Sequence, residues 1–370
     1  MTALATASYN DSLKAMDTGI KGQSSQALIV QSYSLSSIAQ PHVDFSGFDK
    51  LKQINVDINN GLDTAKTNGN YYLNTLQPSM ITTITDLDAY FNLNNALAQA
   101  LNPNTPADLA IQQLKAVQQS VTGYKSKTDK LVIDLQSFRT KLSTDASNFK
   151  GYTTKLNSIV NGDQGVLSEI NDQLDSIDSK IDGAIAGTVL SGLAIAGGVF
   201  MIAVGGIADF VTAGASTPLV VAGVGVVAAG VGGEVASAVI LGNLLKEKGN
   251  LLTEKSQLKS EVNLVTGVSS GLDSLDKQAS SAAEATQQMA NAWNTLDGHL
   301  GNMISEVQSG QTTVDSIRNL FQIAAQGTVK DIQQDSTTIK GQLAGVKITT
   351  NTGGNVADMV LNDAKKAAAA

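Results

Sequence analysis

The residue types that carry chemistry are few and scattered along this chain. There are two histidines, His42 and His299, and no cysteine, so thiolate chemistry and a disulfide framework are both excluded. His42 follows Pro41 in a turn-forming stretch and His299 follows "LDG" on a polar face. Both are expected at the surface, and neither is placed to ligate a metal or act as a catalytic base. The carboxylate pairs Asp175/Asp178 and Asp331/Asp335 fall at helical spacing and are expected on solvated faces, where they serve solubility. No GxxxxGK[ST] phosphate loop occurs. "GVGVVAAG" (223–230) resembles a dinucleotide loop, but it lies inside a long apolar run with no strand expected before it. No enzyme, cofactor or metal site is expected from these residues.

One ionisable residue stands apart. Glu234 lies within an apolar run, where a charge costs roughly 2.5 kcal/mol or more at mid-bilayer depth. Three readings stand open for it: it faces a lumen, it pairs between protomers, or it marks the end of a shorter span. Protonation would lower its cost of insertion.

The element around it is the centre of the chain. Between Gly183 and Leu245 the only charges are Asp209 and Glu234. Two apolar runs, about 183–208 and 219–245, are each long enough to span a bilayer, which takes about 20 residues of helix. The loop between them, "DFVTAGASTP" (209–218), carries Asp209 and ends on Pro218, with no lysine or arginine to hold it back from crossing. The charges that would stay behind are in the flanks, "DSKID" and "KEKGN". The pattern predicts a hairpin of two spans. The positions expected to enter the membrane are Gly183, Gly187, Leu190, Leu193, Ile195, Val199, Phe200, Met201, Ile202, Val204, Ile207 and Phe210 on the first arm. On the second they are Leu219, Val220, Val221, Val224, Val226, Val227, Val231, Val235, Val239, Ile240 and Leu241. Fourteen of the 34 glycines fall in these 63 residues. Each costs about 1 kcal/mol against alanine inside a soluble helix, so the segment is poorly suited to standing alone as helices in water. Gly183 and Gly187 form a GxxxG pair. The pairs Gly197/Gly198, Gly205/Gly206 and Gly232/Gly233 are expected as hinges.

The flanks, 1–182 and 246–345, are polar with a helical rhythm. Leu131, Leu135, Phe138, Leu142, Phe149, Leu156 and Ile159 step by threes, fours and sevens, as do Met289, Trp293, Leu296, Leu300, Ile304 and Val307. Such spacing puts one narrow apolar seam on each helix. Breaks are expected at 41–49, at "LNPNTPADL" (101–109), where Thr105-Pro106 reads as an N-cap with proline at N1, and at "NGDQG" (161–165). A bend is expected at "TGVSSG" (266–271), and residues 346–370 are expected as a loosely ordered tail. The fold class is therefore all-α: an elongated bundle of long helices with a central hydrophobic hairpin head. The net charge of −8 gives no basic footprint for nucleic acid. The amino terminus shows no basic stretch followed by an apolar core, so no secretory signal peptide is visible.

Long helices, a central apolar hairpin and long helices again: this order resembles the α-helical pore-forming toxins of the cytolysin A type. The chain is most similar to the components of hemolysin BL and the non-hemolytic enterotoxin, and to their tripartite relatives. The resemblance rests on the "GAIAG…GGIADF…STPLVVAGVGVVAAGVGGEV" head and on the segments 107–182 and 246–345. It implies a tail bundle and a head that is hidden before insertion, as a β-tongue or a helical hairpin. It also implies a homo-oligomeric ring pore in a target-cell lipid membrane. Both arms are apolar on every face apart from Glu234, which points to the membrane-spanning component, called B, working with two other components. Secretion as a soluble protein is implied as well. Two rivals remain: a type III secretion translocator, and a coiled-coil protein permanently anchored by the hairpin.

Overall fold

A computed structural model describes residues 3–40, 42–43, 51–160, 173–185, 199–211, 218–229, 235–252, 257–326, 328–344, 347–355 and 358–362. Long helices carry the fold, as the seams predict. They are α1 (Ala3–Ala39), α2 (Lys52–Tyr71), α3 (Gln77–Ala100), α4 (Ala107–Val160) and α5 (173–185), then α6 (Val235–Leu252), α7 (Gln257–Gln308), α8 (Val314–Gln326) and α9 (Thr328–Ala344). α4 alone has 54 residues, about 80 Å at about 1.5 Å each. Its seam residues Leu131, Leu135, Phe138, Leu142, Phe149 and Leu156 are all buried, and so are Met289, Trp293, Leu296, Leu300, Ile304 and Val307 on α7. α7 runs unbroken through 266–271, so the expected bend does not interrupt the helix. The turn expected at 161–165 lies outside the described residues.

Two local features depart from what the sequence suggested. At 101–106 the Thr105 hydroxyl accepts from the Asn102 backbone N–H at 2.9 Å, and Asn102 Oδ1 accepts from the Asn104 N–H at 3.0 Å. The Pro106 carbonyl takes the first helical bond, from the Ala110 N–H, so proline is the cap and Thr105 closes the turn behind it. Proline suits that position because it has no N–H to satisfy. The second feature is Pro78, which lies inside a helical stretch. Without an N–H it cannot bond the carbonyl four residues back, and the preceding turn, Tyr72–Leu76, widens into π-helix. The Gln77 N–H accordingly reaches the Tyr72 carbonyl, five residues back.

The chain divides into two compact units. The first comprises residues 1–24, 78–134 and 281–341. Its core is aromatic: Trp293 meets Tyr90 edge-on at 5.5 Å and Tyr124 at 5.5 Å, and Tyr9 meets Phe321 edge-on at 5.7 Å. The Tyr9 and Tyr90 hydroxyls hydrogen-bond at 2.7 Å, and the Asn94 amide donates to Tyr9, so both phenols are satisfied inside. Lys21 bridges Asp17 at 2.7 Å and Asp335 at 2.8 Å, tying α1 to α9. Asp335 is thus half-buried and paired, whereas Asp331 is exposed as expected. His299 is half-buried, its ring in a T-shaped pair with Tyr9 at 6.3 Å, rather than fully at the surface as expected.

The second unit comprises 25–77, 135–280 and 342–370. Tyr72 stacks on Phe138 at 5.7 Å and donates its hydroxyl to the Ala27 carbonyl at 2.8 Å. Asn68 donates to the buried Asp145 at 2.6 Å. Gly69 brings α2 against α1: an added Cβ there would stand 3.0 Å from the Ser34 carbonyl oxygen. His42 is exposed, as expected, and pairs with Asp63 at 2.8 Å.

The head lies in this second unit and is a hairpin, but of strands. β1 (Val199–Val211) pairs antiparallel with β2 (Pro218–Ala229), and a third strand, β3 (Lys347–Asn355), pairs parallel with β1, giving the order β2-β1-β3. The tail expected to be loose therefore carries a strand. Beyond β3, residues 358–362 form a helical turn in which Val360 is fully buried.

Candidate membrane-inserting head

The strands follow from the composition of the apolar runs. "VFMIAVGGIADFV" and "PLVVAGVGVVAA" combine valine, isoleucine and phenylalanine, which favour a pleated backbone, with glycines, which weaken a helix. In the ladder Val199 faces Ala229, Ala203 faces Gly225, Gly205 faces Gly223 and Phe210 faces Leu219. The register shifts between Gly206 and Asp209, so the bulge falls just before Asp209, which the sequence placed in the loop and which lies inside β1, paired with Val220. Each arm pairs the facing backbone groups of the other, and β3 pairs the far edge of β1, so the segment needs no helix while it is in water.

β3, "KITTNTGGN", is polar where β1 and β2 are apolar. Its parallel ladder sets Met201 against Lys347 and Gly205 against Asn351. A polar strand on the edge of an apolar ribbon blunts that edge as a template for aggregation. α6 lies along both β1 and β2.

At the base of the head, α5 and α6 meet. Ile181 and Ile185 from α5 and Leu241, Leu244 and Leu245 from α6 are buried. Lys248 Nζ donates to Asp178 Oδ1 at 2.6 Å and joins the two helices, with side chains only 9% and 3% exposed. Asp178 is thus not on a solvated face: it is the buried partner of a lysine in the other flank. Two charges removed from water hold there only as a pair, since either alone would be an uncompensated buried charge. Asp182, one turn further along α5, is buried too.

The expected membrane-entering positions divide by place. Val199, Phe200, Met201, Ile202, Val204, Ile207 and Phe210 lie on β1, together with Gly205, Gly206 and Asp209. Leu219, Val220, Val221, Val224, Val226 and Val227 lie on β2, which begins at Pro218. Val235, Val239, Ile240 and Leu241 lie on α6, where Leu241 is fully buried and Ile240 is exposed. Gly183 lies within α5 with open space where a Cβ would go. Gly187, Leu190, Leu193, Ile195, Gly197, Gly198, Val231, Gly232, Gly233 and Glu234 lie outside the described residues, so the hinge positions at 197–198 and 232–233 and the three readings of Glu234 do too. Among the described residues no helix is long and apolar enough to cross a membrane, and no cluster of metal-ligating side chains occurs.

Two functional features were missed in the sequence. The Lys248–Asp178 pair was hidden because each partner sits in a charged flank that reads as solvated. β3 was legible in principle, since "KITTNT" is rich in β-branched residues.

A bundle of long helices that holds a charge-poor apolar hairpin as a β ribbon defines a class of protein, the helical pore former in its water-soluble conformation. The comparisons agree. A family model for the Bacillus haemolytic enterotoxin (HBL) matches residues 12–184. The chain is 41% identical to soluble AhlB of the tripartite α-pore-forming toxin AHL from Aeromonas hydrophila, over 96% of this chain and 99% of that one, with a TM-score of 0.86. It is 34% identical to soluble SmhB of the Smh toxin from Serratia marcescens, over 97% and 99%, also at 0.86. Against the AhlB pore, at 33% identity over 91% and 99%, the TM-score is 0.64. No curated sequence matches. The chain belongs to the family of tripartite α-pore-forming toxin components.

Proposed function

We propose that this chain is the membrane-spanning component, of the kind called B, of a tripartite pore-forming toxin. It is soluble first, inserts its apolar hairpin into a target-cell membrane, and assembles with copies of itself into a ring pore. The observation that carries this reading is the apolar hairpin held as an open-edged ribbon in a fold that follows the soluble relatives more closely than the pore form.

Elementary physics then requires a change of structure. In a bilayer core every backbone N–H and C=O must be satisfied within the protein, which leaves helices and closed barrels. A three-stranded sheet with open edges is neither. The runs 183–208 and 219–245 are long enough to be two helical spans, so refolding to a helical hairpin satisfies each arm by itself. β3 cannot follow β1 into such a helix and must leave it. The driving force is burial of aliphatic side chains in lipid, about 1.5–3 kcal/mol for each one fully transferred. Contact with a membrane shifts the population toward the inserted form.

The positions named on the two arms form the spans, and the 209–218 loop, with Asp209 and Pro218, crosses. Two further components complete the lumen, because arms with a single internal carboxylate cannot wet a pore. No chemical reaction is proposed. A permanently anchored coiled-coil protein is disfavoured, because such an anchor would be helical from synthesis onward.

Deleting residues 183–245 should leave a soluble helical protein that neither binds vesicles nor supports lysis with its partners. Lysis by that deletion would overturn the reading.

A further inference from the structure

The β ladder fixes where the chain folds back. Beyond the bulge Asp209 faces Val220 and Val211 faces Pro218, so the ladder nearest the tip is centred between positions 214 and 215. Asp178 lies 36 positions before residue 214 and Lys248 lies 33 after residue 215. The buried ion pair at the base is therefore nearly symmetric about the tip of the head.

The symmetry has a consequence for insertion. If the segment between the pair becomes two antiparallel helices with the turn at the same place, Asp178 and Lys248 remain level to within three positions. That is about 4.5 Å along the axis at about 1.5 Å per residue, within the span of a lysine side chain. Both residues also lie among the buried positions of their own helices. Asp178 follows Leu174 and precedes Ile181 and Ile185, and Lys248 continues the stripe of Leu241, Leu244 and Leu245, all of them buried. Neither helix has to rotate or slide for the contact to persist.

We propose that Asp178 and Lys248 are positioning residues that form a register pin. The pair is made in the soluble form and kept in the inserted form. It holds α5 and α6 side by side while everything between them refolds, so that both arms enter the bilayer to equal depth. A polar pair suits this task better than an apolar one. A slip of one helical turn would break the contact between two buried opposite charges, whereas leucines would accept several registers. This inference rests on the pore-forming reading given above.

The test uses the full chain, which has no cysteine of its own. The double variant Asp178→Cys/Lys248→Cys is linked with a short bis-methanethiosulfonate reagent that dithiothreitol reverses. Carbonate-resistant insertion is then measured on vesicles of phosphatidylcholine, phosphatidylethanolamine, sphingomyelin and cholesterol. The linked protein should insert within twofold of the same protein after reduction. A larger loss that reduction reverses would show that the two helices part at this point, and would overturn the pin. In parallel, Asp178→Asn should lose at least tenfold in insertion, and the charge swap Asp178→Lys/Lys248→Asp should recover to within threefold of the natural chain. Unimpaired insertion by Asp178→Asn would also overturn it. If the natural chain itself does not insert, the pore-forming reading fails, and the pin falls with it.

Discussion

Asp178 and Lys248, buried 2.6 Å apart, should respond very differently to single and double replacement. Asp178→Asn leaves the lysine charge without its partner and should cost about 3–5 kcal/mol of stability, whereas Asp178→Leu/Lys248→Met should be neutral or stabilising. Urea denaturation of the three chains checks both outcomes. Asp145 makes a separate statement about pH. Burial raises its pKa, and the hydrogen bond donated by Asn68 only partly opposes that. The folded chain then holds this proton more tightly than the unfolded chain. The contribution of Asp145 to stability is full below about pH 4, the unfolded value, and falls as pH rises through the raised folded value. Asp145→Asn should remove that part of the slope in a series of urea midpoints against pH. Gly69 is a steric case. A Cβ there would meet the Ser34 backbone oxygen at 3.0 Å, so Gly69→Val should push α1 and α2 apart and cost about 1–3 kcal/mol, read as a lower thermal midpoint. At this scale the seams were plain in the sequence, since heptad-like spacing alone identifies Trp293 and Phe138 as core. What spacing could not supply was partnership across 70 residues of chain, and so Asp178 was read as a solvated carboxylate.

Among the elements, the ribbon is the one proposed to change form with its surroundings. Its valines and glycines tolerate strand in water, and its length permits helix in lipid. Sequence alone marks both arms and the turn between them, yet leaves the soluble form of the head open, because an apolar run of 26 residues carries no period-2 or period-3.6 signature to choose between the two. β3 escaped notice for a related reason: a polar Thr/Asn/Gly stretch near a chain end reads as a tail, and only its parallel ladder with β1 makes it structural. That ladder sets a condition on insertion. A thiol cross-link between β1 and β3, made in the Ala203→Cys/Thr349→Cys variant at facing positions, should abolish vesicle insertion, and reductant should restore it. Insertion with the link intact would mean that β1 keeps its strand. The π turn at Tyr72–Leu76 is legible in hindsight from Pro78, since a proline inside a helix removes one bond from the i to i−4 ladder and the backbone must find another.

For the molecule as a whole, architecture was the readable part. Two helical flanks around an apolar hairpin identify the class, and 41% identity to soluble AhlB over nearly the full chain identifies the family. The conformational state was not readable, because AhlB itself is solved both as a soluble form and as a pore. The fold here follows soluble AhlB at a TM-score of 0.86 and the AhlB pore at 0.64, so it matches the soluble form more closely. The central claim is that the head passes from ribbon to helices when it enters lipid. The most direct measurement is the amide I infrared band of the full chain, recorded on vesicles while release of an entrapped dye is followed with partner components present. The account predicts that the β component disappears and helix increases in step with insertion and leakage. Leakage with the β component intact would contradict it.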